Sequence, residues 1–292
     1  MVTCVDSLVT GRLSNLYENW GNPAFRFMQA DICEAAFETD TRFDYVFHLA
    51  SPASPPKYLT HPLETLRANG VGTERLLKLS LSMNARFLFT STSEVYGNPT
   101  AHPQSETDVG LTDPTNPRSV YSEGKRYGET LTSTFARSFG CNARIVRLFN
   151  VYGPNSDPED GRMIPNFFVQ ALTGQPITVY GEGKQTRSLC YVSDAIDGLI
   201  KAMESDDLRG EVVNIGNPVE KTVAEYARSV RELVGTGVPI VPLQRDRSDV
   251  VERRCPDISR ARRLLDWSPL VSLESGLELT SHYFSRCIRA AA

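Results

Sequence analysis

The 292-residue chain has no extended basic run, only four histidines, and no pair of cysteines spaced as CxxC. With a formal net charge of −4 it lacks the electrostatic footprint of a nucleic-acid binder. Its six cysteines (Cys4, Cys33, Cys141, Cys190, Cys255, Cys287) are scattered with no histidine cluster beside them, which argues against a metal site and for ordinary reduced thiols. No apolar stretch approaches the roughly 20 residues that span a bilayer, and the N-terminus carries no charged segment followed by an apolar one. The expectation is a soluble, cytoplasmic chain with neither a membrane nor a nucleic-acid partner. Internal repeats, low-complexity tracts and long linkers are also missing, so any two parts should pack together.

What is present in the first half is an alternation of short apolar runs with longer amphipathic stretches, the pattern of parallel strands joined by crossover helices. Val2 to Val5, Phe25 to Met28, Tyr45 to Leu49, Phe87 to Phe89 and Ile145 to Leu148 are candidate strands. His61 to Met83 and Tyr121 to Phe139 carry apolar residues at helical spacing, Leu63, Leu66, Val71, Leu76 and Leu77 among them. After Tyr152 the texture shifts to short strands, Gly/Pro turns and isolated helices. The fold class expected is α/β: a Rossmann-type doubly wound parallel sheet over residues 1–152, and a smaller α/β substrate-binding lobe over 153–292, with some segments returning to the core sheet.

One absence bears on that fold. A dinucleotide-binding sheet opens with a strand, a glycine-rich turn and a helix whose N-terminus holds the pyrophosphate. Here the chain begins at Val2-Thr3-Cys4-Val5-Asp6, which reads as the second strand of such a sheet, ending in an acidic residue suited to an adenosine ribose. The first strand and glycine-rich loop are therefore expected to be missing, about 25 to 30 residues of one strand-turn-helix unit. A central strand left out would expose two edges, so the chain as written is expected to be poorly soluble and to bind NAD weakly.

The chemistry concentrates in two segments. Tyr121 and Lys125, in Tyr-Ser-Glu-Gly-Lys, lie four apart and share a helix face. The ammonium can lower the phenol's pKa and hold a cofactor ribose while the phenolate takes a proton from a sugar hydroxyl. Tyrosine and lysine at this spacing often form only a solvated pair. The strand ending Thr90-Ser91-Thr92-Ser93-Glu94-Val95-Tyr96-Gly97 changes that balance, because it supplies the hydroxyl that completes a Thr92/Tyr121/Lys125 set.

These pieces, with Val5-Asp6, Asp31-Ile32, His48-Leu49-Ala50, Asn69, Gly72-Thr73 and Leu148-Phe149-Asn150-Val151-Tyr152-Gly153-Pro154, resemble the extended short-chain dehydrogenases, the NAD-dependent epimerase/dehydratase family, along nearly the whole chain. The sugar 4,6-dehydratases of that family have Thr-Asp-Glu at the catalytic threonine, whereas this chain has Ser93 in the aspartate position, and serine is a poor general acid at neutral pH. The 4-epimerases usually lack the glutamate found here as Glu94. The Ser-Thr-Ser-Glu-Val-Tyr-Gly run is instead similar to the UDP-glucuronate decarboxylases, as are His48 to Pro55, Pro117 to Arg126 and Gly183 to Ser188. Gly70 stands where relatives often have an aliphatic residue, and glycine inside a helix costs about 0.5 to 1 kcal/mol relative to alanine.

The resemblance implies a bound NAD contacted by Asp6, Asp31, Ile32, Leu49, Ala50, Asn69, Tyr121 and Lys125. It implies Thr92, Glu94, Tyr121 and Lys125 as catalytic residues, and Ser93, Asn150, Arg162, Arg187 and Arg254 as contacts of a UDP-sugar. The arginine fork suits a diphosphate, although any single arginine can equally form a surface ion pair. His48 reads as a core histidine. The expected activity is decarboxylation of UDP-glucuronate to UDP-xylose through a 4-keto sugar, in a homodimer. The alternatives are a nucleotide-sugar 4-epimerase or 4,6-dehydratase, and a truncated or non-catalytic nucleotide-sugar-binding protein.

Overall fold

The computed structural model describes residues 1–36, 42–244 and 251–291. Its strands are β1 (Val2–Asp6), β2 (Phe25–Gln29), β3 (Tyr45–His48), β4 (Arg86–Thr92), β5 (Ala143–Leu148), β6 (Val151–Tyr152), β7 (Ile177–Tyr180), β8 (Thr186–Ser188), β9 (Cys190–Tyr191), β10 (Val212–Ile215), β11 (Glu220–Thr222) and β12 (Ile240–Leu243). The helices are α1 (Pro55–Thr60), α2 (Pro62–Arg67), α3 (Thr73–Met83), α4 (Ser119–Phe139), α5 (Met163–Leu172), α6 (Val192–Glu204), α7 (Val223–Val234), α8 (Ser259–Leu265) and α9 (Leu273–Ala291). The five strands read from the first half are all present.

Strands β1 and β2 pair in parallel, with Val2 opposite Phe25. A four-stranded sheet runs in the order β10-β5-β4-β3, its β3–β4 pair again parallel with Tyr45 opposite Arg86. Strands β1 and β2 form a two-stranded sheet separate from the four-stranded one. The parallel, doubly wound α/β character expected from the sequence is thus present. Strand β4 is longer than its apolar core suggested because Thr90, Ser91 and Thr92 continue it, buried despite their hydroxyls.

The expected helix over 61–83 runs from Pro62 to Met83 with one turn of different winding inside it. Between α2 and α3 lies one π turn, Ala68–Gly72, where Asn69 Nδ2 donates to the Thr65 carbonyl and Gly70 lies under the Tyr127 ring of α4. An inserted residue in the hydrogen-bond ladder has this effect, and such turns gather at functional sites. The helix then ends at Asn84 in the left-handed conformation, a C-terminal arrangement that short polar side chains tolerate.

The chain divides into two compact units, each assembled from separate segments: residues 1–91, 113–145 and 206–212, and residues 92–112, 146–205 and 213–292. The core of the first gathers Ile32, Leu76, Leu77, Phe87, Phe89, Phe135 and Ile145. That of the second gathers Phe167, Phe168, Ile177, Tyr226, Leu277 and Phe284. Helices α8 and α9 have no counterpart in the sequence reading. Helix α9 is amphipathic and contributes Leu277 and Phe284, the latter stacked on Phe168 with ring centroids 5.5 Å apart. None of the described helices is long and apolar enough to cross a membrane.

Because Phe284 is wholly buried, Phe284→Ala should lower stability by about 3 to 5 kcal/mol through lost burial and the cavity left behind. Urea unfolding of the two proteins measures it; a change below about 1 kcal/mol would mean that α9 is not docked as described.

Candidate active site

Helix α4 presents Tyr121, Lys125 and Glu129 at successive turns, one stripe facing β4. Lys125 is only 3% exposed, and its Nζ donates to the Thr90 carbonyl at 2.7 Å. The same ammonium lies 4.9 Å from the centre of the Phe89 ring and 5.9 Å from that of Tyr121. Burial pushes the Lys125 pKa down to about 7, against the opposing pull of Glu129. Glu129 is fixed in turn by the Ser91 hydroxyl, which donates to its carboxylate at 2.6 Å.

The helix can come this close to the strand because position 128 is glycine. A Cβ there would fall 2.3 Å from Phe89 Cζ. Tyr121, 7% exposed, stacks on the fully buried ring of Tyr58, with centroids 5.1 Å apart and planes 3° from parallel. Tyr58 in turn accepts a hydrogen bond on its hydroxyl from Arg118 Nε at 3.0 Å.

His48, at the end of β3, is the core histidine expected. Its Nε2 lies 3.1 Å from the Ala68 carbonyl and 3.0 Å from the Thr73 hydroxyl. Burial and the neighbouring Lys125 hold its pKa down at about 3, so it stays neutral at physiological pH and supplies no proton.

Thr92, Ser93 and Glu94 belong to the second unit. Thr92 caps a 3-10 turn, Ser93–Tyr96, its Oγ1 accepting from Glu94 N–H at 3.2 Å. Ser93 is buried and Glu94 half-buried. The turn closes at Gly97, whose φ of 57° lies in the left-handed region and whose Cβ, were there one, would fall 1.8 Å from the Leu111 carbonyl oxygen. Arg254 Nη2 donates to the Gly97 carbonyl at 3.1 Å, so this buried arginine and the turn are brought together. Arg187, half-buried on β8, donates to the carbonyls of Thr186 and Val251. Arg162 is exposed ahead of α5 and pairs with Asp160. Asn150 is half-buried, and its carbonyl accepts from Cys190 N–H at 2.9 Å.

The remaining residues singled out in the sequence fall in the first unit. Asp6 ends β1, its Oδ1 accepting from Leu8 N–H at 2.8 Å, and Asp31 makes the same local turn with Cys33. Ile32 is in the core, Leu49 is exposed and Ala50 half-buried just past β3. Asn69 is fully buried, donating to the Ser51 hydroxyl and the Thr65 carbonyl. The sequence reading missed Tyr58, Arg118 and Glu129. Glu129 had a signal, lying one further turn along the Tyr121/Lys125 face; Tyr58 and Arg118 had none without the tertiary contacts.

Residues 2–216 match the NAD dependent epimerase/dehydratase family. The chain belongs to that family. It is 44% identical over 286 residues to UDP-glucuronic acid decarboxylase 1 of Xenopus tropicalis, covering 98% of this chain and 66% of that protein. It is 43% identical over 283 residues to UDP-glucuronic acid decarboxylase 3 of Arabidopsis thaliana, covering 97% of this chain and 81% of the relative. Its fold matches UDP-glucuronic acid 4-epimerase from Bacillus cereus, solved with UDP-glucuronic acid and NAD, at a TM-score of 0.84 and 28% identity, covering 98% of this chain and 91% of the epimerase.

The cofactor of the family is NAD, and the donor set in the first unit fits it. Of the three Lys125 N–H groups, only one has an acceptor among the described residues, the Thr90 carbonyl. The Asn69 Oδ1 is likewise buried with no donor. Buried polar capacity of this kind is met by a partner, and ribose hydroxyls and a carboxamide supply both types.

The lowered Lys125 pKa predicts a pH signature in the cofactor-free protein. Between about 7 and the ordinary 10.5 the unfolded chain binds the proton that the folded chain has lost. Wild-type stability relative to Lys125→Met should therefore be flat below pH 7 and rise above it, by up to about 1.4 kcal/mol per pH unit. Urea unfolding of both proteins from pH 6 to 9.5 tests this; a difference independent of pH would show that the ammonium remains hydrated.

Proposed function

We infer that this chain catalyses the NAD-dependent decarboxylation of UDP-glucuronate to UDP-xylose through a UDP-4-keto sugar. The reading is carried by 43–44% identity to UDP-glucuronic acid decarboxylases along almost the entire chain, and the residues supply chemistry that agrees with it. Tyr121 takes the proton of the C4 hydroxyl, with Thr92 as hydrogen-bonding partner and Lys125 supplying positive charge. Held by these residues, NAD would supply the acceptor for the C4 hydride and its donor on the return.

The C4 ketone stands β to the C6 carboxylate, so the C5–C6 bond can break with its electron pair delocalised into the carbonyl as carbon dioxide leaves. Glu94 manages the proton that then reaches C5, and Tyr121 returns its proton to the C4 oxygen on reduction. The balance is one UDP-glucuronate and one proton in, one UDP-xylose and one carbon dioxide out. Ser93, where an acid would be needed for dehydration, leaves that path without its proton donor.

In this reading Asp6, Asp31, Ile32, Leu49, Ala50 and Asn69 join Tyr121 and Lys125 in holding NAD, within a nucleotide-binding part spanning residues 1–152. Ser93, Asn150, Arg162, Arg187 and Arg254 hold the sugar diphosphate, most of them from residues 153–292. Arg162 is the weakest of these, since its guanidinium is already paired with Asp160. Six free thiols suit a reducing compartment, and the cytoplasm is the proposed location.

The proposal includes a homodimer. Leu63 and Leu66 on α2, Val71 in the π turn and Tyr127 on α4 are all large apolar residues left exposed on neighbouring elements of the first unit. An apolar face of that kind suits burial against its own copy.

Incubation with UDP-glucuronate and NAD should release carbon dioxide and form UDP-xylose, and Tyr121→Phe should lower turnover by at least about 10³-fold while UDP still binds. Carbon dioxide release together with UDP binding by calorimetry decides this, and turnover retained by the variant would remove Tyr121 from its role. The doubly charged variant Leu63→Glu/Val71→Glu should sediment as a monomer at concentrations where the wild type is a dimer; an unchanged sedimentation coefficient would place the interface elsewhere.

A further inference from the structure

We propose that Tyr58 is a positioning residue for the reaction: its ring, stacked on that of Tyr121, holds the catalytic phenol where it can meet the sugar hydroxyl. The proposal rests on the reading of Tyr121 as the base.

Tyr121 is the third residue of α4, in the first turn, where the helix's own hydrogen-bond ladder is incomplete and fixes the backbone least. Its backbone N–H donates at 3.2 Å to the carbonyl of Arg118, a residue outside the helix. The phenol at the far end of two rotatable bonds must therefore be placed by packing from outside the helix. Two ring contacts contribute to this. Lys125 lies 5.9 Å from the ring centre, and the Tyr58 ring covers the Tyr121 ring with planes 3° apart.

Tyr58 is well suited to act as the fixed partner. It is wholly buried, and it sits in α1, where Pro55 and Pro56 restrict the backbone of the first turn and its own N–H donates to the Ser54 carbonyl at 2.9 Å. Its hydroxyl is held by Arg118 Nε at 3.0 Å. Arg118 stands three residues before Tyr121, so one short stretch of chain grips Tyr58 twice, at the hydroxyl through residue 118 and at the ring face through residue 121. That stretch is itself wound tightly: Asn116 Oδ1 accepts from Arg118 N–H at 2.9 Å, and the Ser119 hydroxyl donates to the Asp113 carbonyl. The parallel ring pair is a clamp between α1 and the first turn of α4.

Proton transfer from a sugar hydroxyl is sensitive to misplacement of the base by a fraction of its hydrogen-bond length. Removing the ring should therefore act on the rate of the step that Tyr121 performs and leave substrate affinity alone. Removing only the Tyr58 hydroxyl keeps the stack and should be mild.

The experiment compares Tyr58→Leu, Tyr58→Phe and, should leucine unfold the protein, Tyr58→Met, which fills the space without a ring. Steady-state carbon dioxide release, single-turnover formation of reduced cofactor at saturating NAD, and thermal midpoints are measured on each full-length variant with UDP-glucuronate. The expected result is a fall in kcat of at least about tenfold for Leu or Met, an equal slowing of reduced-cofactor formation, KM within about twofold, and kcat within about threefold for Phe. A Leu or Met variant that loses thermal stability but keeps kcat within twofold would overturn the proposal, as would an equal loss in Phe, or an effect confined to KM. If the wild type forms reduced cofactor but releases no carbon dioxide, the decarboxylase reading fails while a ring-dependent rate still supports the clamp. If Tyr121→Phe retains reduced-cofactor formation, the base assignment and the clamp fall together.

Discussion

A buried ammonium group constrains more of the first unit than any other single feature. Removing such an ion from water costs on the order of several kcal/mol after relaxation, and Lys125 meets that with few compensations: the Thr90 carbonyl, the face of Phe89, and the field of Glu129. The first two require α4 to lie hard against β4. Gly128 permits the approach, since no side chain could stand between the helix and the Phe89 ring. The Ser91–Glu129 hydrogen bond locks the register one turn further along. The burial that makes the ammonium expensive also brings its pKa to about 7, so that small changes in surroundings change its charge. A lysine of that kind responds to the arrival of an oxygen-rich ligand, whereas a hydrated one would not.

How much of this was legible beforehand follows from the range over which each feature is encoded. Tyr121 and Lys125 share a face because a helix repeats every 3.6 residues, and that is local information. The parallel strands are legible for the same reason, since β3 and β4 are short apolar runs, β4 buried on both faces while β3 leaves Tyr45 and Phe47 exposed. The change of winding between α2 and α3 was foreshadowed by Gly70, but the π turn depends on Asn69 finding the Thr65 carbonyl and on Tyr127 packing above, which no spacing displays. Tyr58 and Tyr121 are distant in sequence and meet only once α1 folds back on α4. The three arginines looked alike in the sequence and are not alike in the structure: Arg162 is exposed with an acidic partner, Arg187 is half-buried on backbone carbonyls, and Arg254 is buried.

The second unit places the Ser93–Tyr96 turn by a different device, a buried polar network. Asn214, fully buried on β10, accepts from the Tyr96 hydroxyl at 2.8 Å and donates to the carbonyls of Gln104 and Asp257. Its backbone N–H donates to Glu106 at 2.8 Å, while the Arg147 guanidinium lies 4.8 Å over the Tyr96 ring. Carbonyls can only accept, so the orientation of the amide is settled, and with it the oxygen that receives Tyr96. Burial pushes the Tyr96 pKa up to about 12, which keeps the phenol protonated and able to donate. The turn carrying Glu94 is thereby anchored at one end by the Thr92 cap and at the other by Tyr96 and the Gly97 carbonyl.

That anchoring gives the residue between the two ends its chemical weight. Ser93 is 2% exposed, in a turn held by the Thr92 cap and by the Gly97 carbonyl. A carboxyl group there would be desolvated, and desolvation favours its neutral, proton-donating form, which is what expulsion of a hydroxyl from the sugar demands. A serine hydroxyl offers a hydrogen bond but no proton at neutral pH. On the proposed reading the 4-keto sugar carries a carboxylate and no hydroxyl at C6, and its C5–C6 bond breaks without an acid because C6 departs as carbon dioxide while the electron pair passes into the C4 carbonyl. On that reading Ser93 bears on the class of substrate rather than on the fate of a shared intermediate, since an acid at this position would serve only a sugar that carries a hydroxyl at C6.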